Sequence, residues 1–538
     1  MTQTNLPWWR GAAIYQVYPR SFFDSNDDGI GDLAGVTAKL DYIASLHVDA
    51  IWLSPFFLSP MRDFGYDVRD HKAVDPIFGN IADFDELITQ AHAKGLKIII
   101  DQVWSHVAIE HPWFDESQQS RDNPKADWFV WADAKADGSP PNNWQSWMGG
   151  PAWTWDARRK QFYLHNFLRE MPDLNFHCPA VQDAILDIAK FWLDRGVDGF
   201  RLDTANFYFH DRALPDNPAR TYDQAGEKPA DIPVMMQRHL HNVCQPENLA
   251  FLARVRDLFD QYEGRMTVAE IGSEHPIERM MEYTSGNQRL HTAYSFLMLG
   301  DRYDPSFLAE TMATWQTEQG RQAWPSWAFS NHDVPRVATR WADCDQQRAR
   351  LFNALLACLR GTVFIYQGEE LGLTQAEIAF EDVQDPVGKT GWPINKGRDG
   401  CRTPMPWQAN QAASGFCEAT SWLPINAKDQ GKEVDVQSSD PTSNLNFNRQ
   451  LLAKRRQHPS LRLGDFNLIS KDDDVLIFER VLEQDRVLAA FNLSETQREL
   501  SLPNVVDTAN TPLVVGNASV DGNTLKLGAW SGLITVLK

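Results

Sequence analysis

The stretch Gly199-Phe-Arg-Leu-Asp-Thr-Ala-Asn206 ends an apolar run with an arginine and a carboxylate two positions apart. On a strand, residues two apart share a face. A guanidinium beside a carboxylate favours its ionised form. Asp203, at a strand's C-terminal end, is therefore a candidate nucleophile, although a structural ion pair would leave the same local pattern. Other strand ends decide between the two. Asp101-Gln-Val-Trp-Ser-His106 follows one β-like run, Glu270 sits in Thr-Val-Ala-Glu-Ile-Gly at the end of another, and Asn331-His332-Asp333 follows a third. Asp203, Glu270 and Asp333 on three strand ends, with two histidines and few cations beyond Arg201 and Arg402, are not what fold stability would choose. Like charges held close raise one another's pKa, and that separation serves an acid and a nucleophile. The matching chemistry is glycosyl transfer by double displacement. One carboxylate attacks the anomeric carbon, while a protonated carboxyl donates to the leaving oxygen and later takes a proton from water or an alcohol. A retaining enzyme needs the two about 5–5.5 Å apart, an inverting one roughly 6.5–9.5 Å.

Such a site needs a scaffold that brings strand ends together. Apolar, β-rich runs recur at 12–17, 50–53, 97–103, 199–203, 266–271, 292–298, 326–330 and 362–366. Amphipathic helical patterns, such as 33–46, 81–94 and 181–195, lie between them. Eight strand–helix alternations predict an α/β fold, a closed (β/α)₈ TIM barrel whose working residues sit at the C-terminal strand ends. An open doubly wound sheet would want a Gly-rich phosphate loop after the first strand, and none is present. The connection 104–198 far exceeds one βα unit of roughly 30 residues. Its part 111–173, rich in Trp, Asp, Asn and Pro, reads as an inserted subdomain after strand 3. A second long excursion, 371–439, follows strand 8. Short alternating runs at 466–470, 474–480, 486–492, 497–502, 525–527 and 533–537 predict a C-terminal antiparallel β domain. The expected boundaries are 1–103 for the first part of the barrel, 104–177 for the insert, 178–460 for the remaining barrel, and 461–538 for the β domain.

Composition narrows the function. The chain has 538 residues, enough for two or three domains. A net charge of −21 argues against nucleic acid and anionic membranes as partners. The six cysteines are scattered without CxxC spacing, so reduced thiols and a cytoplasmic location are expected. Residues 1–10 lack the basic and then apolar pattern of a signal peptide, and no 18-residue apolar run is present.

The segments 101–106, 199–206, 270–272 and 329–333 resemble the four signature regions of the α-amylase superfamily, glycoside hydrolase family 13. Met171-Pro-Asp-Leu-Asn175 resembles a further motif of its oligo-1,6-glucosidase and α-glucosidase branch, with Met where Gln is common. Ile14-Tyr-Gln-Val-Tyr-Pro-Arg-Ser-Phe22 and Arg402-Thr-Pro-Met-Pro-Trp407 are also similar to that branch. The resemblance implies Asp203 as nucleophile, Glu270 as general acid/base and Asp333 as transition-state stabiliser. It places Arg201, His106 and His332 in the same subsite. Asp63, Tyr66 and Arg402 would fix the non-reducing glucose. Asp63 and Arg402 are expected to pair and close the pocket, and Tyr66 to stack on the sugar. Thr204 would border the leaving sugar. In this branch Val there resembles the α-1,6 enzymes, and Thr or Ala the α-1,4 enzymes.

Asp24-Ser-Asn26-Asp-Asp28-Gly-Ile30-Gly-Asp32 alternates oxygen donors like the first half of an EF-hand, but its twelfth position is Gly35 rather than Glu. It resembles the branch's structural Ca²⁺ or Mg²⁺ loop, which implies Asp24, Asn26, Asp28, the Ile30 carbonyl and Asp32 as ligands. A turn closed by its own side-chain bonds is the alternative. No organic cofactor is expected. Most of the 20 Trp should be core; Trp8 and Trp9 read as packing, and His71, His92 and His177 as surface or satisfied histidines.

The resulting expectation is a retaining, exo-acting α-glucosidase. It would release glucose from small α-1,4-glucosides such as maltose and transfer glucose to sugar or alcohol acceptors. The nearest alternative is an oligo-1,6-glucosidase or sucrose isomerase on the same scaffold. A non-catalytic relative, such as a transporter heavy-chain ectodomain, would want a membrane anchor and lost acids. A binding protein without turnover would not need both Asp203 and Glu270.

Overall fold

Lys97-Ile-Ile-Ile-Asp-Gln102 shows why the strands form where they do. Its β-branched run is almost wholly buried, as expected of a parallel strand covered on both faces. Eight such strands occur: β1 Ala13–Val17, β2 Ala50–Leu53, β3 Lys97–Gln102, β4 Gly199–Leu202, β5 Met266–Ile271, β6 Thr292–Ser295, β7 Ser326–Ala328 and β8 Thr362–Tyr366. They form one sheet in the order β6-β5-β4-β3-β2-β1-β8-β7, a nearly closed parallel barrel. The computed structural model describes residues 6–221, 232–472, 474–504, 506–507 and 510–537.

The chain divides into two compact units. One comprises 1–54, 86–98 and 294–538; the other comprises 55–85 and 99–293. In the first, Trp52 meets the rings of Tyr294 and Phe364, with centroids 6.2 and 5.7 Å away. This unit also carries a five-stranded antiparallel sheet built on Val475–Leu482 and Asp485–Asn492, and a three-stranded one through Thr524–Leu527. Leu476, Leu488 and Leu533 are buried in this region. In the second unit the helix Pro179–Asp194 begins with Pro at a position needing no amide hydrogen bond. It buries Val181, Ile185, Ile188, Ala189 and Trp192, the spacing of one helical face. Trp192 packs on Phe56, Phe57 and Phe84. The insert holds the helix Pro112–Ser117 and a three-stranded sheet of Trp131–Ala132, Gln161–Leu164 and Trp153–Asp156 around buried Trp144 and Trp153.

Local physics moves some expected boundaries. The helical pattern 33–46 is two helices, Leu33–Ala38 and Leu40–Ser45, broken at Lys39 with φ −104° and ψ 10°. The run 292–298 ends as a strand at Ser295, whose hydroxyl accepts from the Leu297 amide and starts a 3₁₀ turn, Phe296–Leu299. Two short strands, Leu513–Val515 and Ala518–Asp521, were not expected. All six cysteines are free thiols. Among the described residues no helix is long and apolar enough to cross a membrane. Trp9 is buried and Trp8 half-buried, His92 is exposed, and His177 binds the His210 carbonyl at 2.7 Å. His71 departs from the surface alternative: it is buried, bonded through Nε2 to the Val103 carbonyl, and burial pushes its pKa down to about 4.

Candidate active site

Strand register builds the first cluster. Along β4 and β5, Arg201 pairs with Val268 and Leu202 with Ala269, so Asp203 and Glu270 follow at the same level. Along β3 and β4, Asp101 pairs with Arg201. Gly199 permits the close approach of β4 and β5, because a Cβ there would lie 2.9 Å from the Met266 carbonyl oxygen. The Arg201 side chain is fully buried among three carboxylates. Its Nη1 donates to Asp101 Oδ1 at 2.8 Å and to Asp203 Oδ1 at 2.6 Å, and its Nη2 bonds Glu270 Oε1. Asp203 and Glu270 therefore occupy the two terminal nitrogens of one planar guanidinium, an arrangement a lysine could not reproduce.

Backbone and hydroxyl groups complete this cluster. Tyr66 Oη donates to Asp101 Oδ2 at 3.0 Å. His106 Nε2 donates to the Tyr66 carbonyl at 3.1 Å, and burial pushes the ring's pKa down to about 3. Asp63 is buried, and its amide donates to Asp67 Oδ1. Thr204 has a φ of +41°, a left-handed conformation uncommon for a β-branched residue. Its amide donates to Glu270 Oε2 at 3.4 Å and its hydroxyl to Asp203 Oδ2 at 3.2 Å. Asp101 had no role in the sequence reading, although it opens a signature segment. Burial pushes its carboxyl up to about 6 despite the attraction of Arg201.

The second cluster lies after β7. Gln16 Nε2 donates to His332 Nδ1 at 2.8 Å, leaving His332 Nε2 to donate to Asp333 Oδ2 at 3.2 Å. The Tyr18 ring stacks on His332, 5.8 Å between centroids. Arg402 Nη2 donates to Asp333 Oδ1 at 3.0 Å, and its Nε to the His332 carbonyl at 2.7 Å. Arg398, also absent from the sequence reading, reaches Asp333 Oδ1 at 3.4 Å and pairs with Asp385 at 2.8 Å. Asp385 is buried, yet Arg398 and then Arg402 hold its carboxyl down at about 2.

In the acidic loop, Asp24 Oδ1 accepts from the Asn26 and Asp27 amides and its Oδ2 from Gly29. Asn26 and Asp28 close similar turns onto Asp28 and Ile30. Asp32 caps the helix Leu33–Ala38 through the Gly35 amide and accepts from Ser25. Among the described residues no three His, Cys, Asp or Glu side chains converge as a metal site.

The α-amylase catalytic-domain family model matches residues 16–464. The chain belongs to the alpha-amylase family, glycoside hydrolase family 13. As its family relatives indicate, the protein is a glycoside hydrolase. It is 51% identical over 510 residues to a probable alpha-glucosidase of Rhizobium meliloti (strain 1021), covering 94% of this chain and 92% of the relative. It is 35% identical over 554 residues to the oligo-1,6-glucosidase of Parageobacillus thermoglucosidasius, covering 96% and 95%. Among solved structures, the alpha-glucosyl transfer enzyme XgtA is 51% identical, with a TM-score of 0.95 over 99% of this chain and 100% of that one. The trehalulose synthase MutB from Pseudomonas mesoacidophila MX-45 is 30% identical, with a TM-score of 0.89 and the same coverage.

Proposed function

We propose that this family member is a retaining, exo-acting α-glucosidase that removes the non-reducing terminal glucose from short α-1,4-glucosides such as maltose. The observation that supports this most is the sharing of Arg201 by Asp203 and Glu270. One guanidinium holding both carboxylates is compatible with the about 5–5.5 Å separation of a nucleophile and acid pair in a retaining enzyme. Asp203 would attack the anomeric carbon as Glu270 protonates the departing oxygen. The Asp203 ester would then be cleaved by water, which gives its proton to Glu270. Asp333 would stabilise the oxocarbenium-like transition state. Asp63, Tyr66, His106, Arg201, His332 and Arg402 would hold the glucose.

An alcohol replacing that water would give transfer, and the likeness to an alpha-glucosyl transfer enzyme favours this arm. The α-1,4 preference rests on Thr204. Likeness to an oligo-1,6-glucosidase and a trehalulose synthase favours a second reading, in which isomaltose or sucrose is used. Initial rates on maltose, isomaltose and sucrose separate the two. Maltose should have the highest kcat/KM; preference for isomaltose, or conversion of sucrose to an isomer, would replace the α-1,4 reading.

For the loop 24–32, the donor set fits a hard cation. Asp24, Asp28 and Asp32 supply carboxylates. Because three acids do not converge, Asn26 and the Ile30 carbonyl would have to complete the ligands for Ca²⁺ or Mg²⁺. Such an ion would tie the loop together and take no part in the reaction.

A further inference from the structure

Ser105 has no role in the scheme above, yet its hydroxyl lies between two of the groups around Asp203. Its Oγ is 2.8 Å from His106 Nδ1 and 2.9 Å from Thr204 Oγ1. Thr204 Oγ1 is in turn 3.2 Å from Asp203 Oδ2. The protons along this chain can be counted. A carbonyl only accepts, so His106 Nε2, facing the Tyr66 carbonyl, carries the ring hydrogen. The buried ring is neutral, its pKa pushed down to about 3, so Nδ1 accepts. Ser105 therefore donates its single hydroxyl proton to His106. The Ser105–Thr204 bond must then use the Thr204 proton, and so must the Thr204–Asp203 bond. Thr204 has only one.

We propose that Ser105 is a positioning residue for the nucleophile: its oxygen competes with Asp203 Oδ2 for the Thr204 hydroxyl proton. This rests on the reading of Asp203 as nucleophile. A donor fixed on a carboxylate stabilises its charge and blunts its attack. Ser105, anchored by His106, offers that donor an alternative acceptor. The positive φ of Thr204 turns its hydroxyl to where both acceptors are in reach. Other groups facing Asp203 include Arg201 on its own strand, Asp101 on β3 and Glu270 on β5 through the same guanidinium, and Tyr208 beyond β4. Burial pushes the Tyr208 phenol up, so it stays neutral at working pH.

The test is the acid limb of the kcat/KM pH profile of the full-length enzyme with 4-nitrophenyl α-glucoside. Ser105→Ala leaves the Thr204 proton to Asp203 alone and should move the limb down by about half a unit to one unit. Thr204→Val removes the donor and should move it up. The double variant should match Thr204→Val, because Ser105 acts only through that hydroxyl. A limb that stays put or rises in Ser105→Ala, or a double variant that sums the single shifts, overturns the proposal. Should Ser105→Ala not fold, Ser105→Cys carries the same test with a weaker acceptor. Asp203→Asn, run alongside, separates the two levels. Retained turnover there overturns the nucleophile reading itself, whereas an inactive Asp203→Asn with an unmoved Ser105→Ala limb overturns only the role of Ser105.

Discussion

Asp101 and Arg201 are direct neighbours in the β3–β4 register, and Arg201 Nη1 donates to Asp101 Oδ1 at 2.8 Å. That pairing fixes the guanidinium on which Asp203 and Glu270 also rest. Arg201→Met would leave three buried carboxylates without their cation, and removing one partner of a buried pair costs about 3–5 kcal/mol. Their folded pKa values would rise, that of Asp101 from a value already raised to about 6. The folded variant would then bind extra protons between about pH 4 and 7 and lose stability as pH rises through that window. Thermal melts should show a lowered Tm at pH 7 and a smaller deficit against wild type at pH 5. An equal deficit at both pH values contradicts the role given to Arg201.

Asp203→Asn should remove nearly all turnover while the fold persists, because Arg201 keeps Asp101 and Glu270. Residual kcat above about a hundredth of wild type argues against Asp203 as nucleophile. Glu270→Gln should be slow on maltose and partly rescued on aryl glucosides with good leaving groups, which need no proton. Equal loss on both substrates would assign the acid role elsewhere.

Burial pushes Glu369 up to about 8, and among the described residues its Oε1 has no hydrogen-bond partner. A raised folded pKa means the folded state holds a proton that the unfolded state has lost between about pH 4.5 and 8. Stability therefore falls as pH rises through that window. Glu369→Gln removes this dependence, and its amide oxygen can take the place of Glu369 Oε2, which accepts from the Tyr366 amide. The variant should melt several degrees above wild type at pH 9 and close to it at pH 5. A parallel pH dependence in both proteins contradicts the assignment.

If the loop 24–32 holds Ca²⁺ or Mg²⁺, chelation should lower Tm more than it lowers the initial rate, and added metal should restore it. Melting curves that superimpose with and without chelator speak for a loop closed by its own amides, as Asp24 already is.

The barrel was legible because parallel strands buried on both faces write themselves as apolar β-branched runs. The runs at 97–103 and 362–366 correspond to Lys97–Gln102 and Thr362–Tyr366. Leu513–Val515 and Ala518–Asp521 are short, half-exposed strands whose pattern differs little from a loop, so nothing in the residues announced them. In the site, the residue types of the signature segments pointed to Asp203, Glu270 and Arg201. The parts played by Asp101 and Arg398 depend on pairings between segments about 100 and 65 positions apart, which spacing alone does not reveal. Thr204 was noted for its type, but its positive φ and its bond to Asp203 come from the turn after β4.

The anomer of the first glucose released tests the central claim most directly, since a double displacement at one sugar carbon restores its configuration. Proton NMR at the start of hydrolysis, before mutarotation, should show α-glucose from an α-glucoside. β-Glucose as the first product would mean single displacement by water, and the pairing of Asp203 and Glu270 on Arg201 could not then be that of nucleophile and acid.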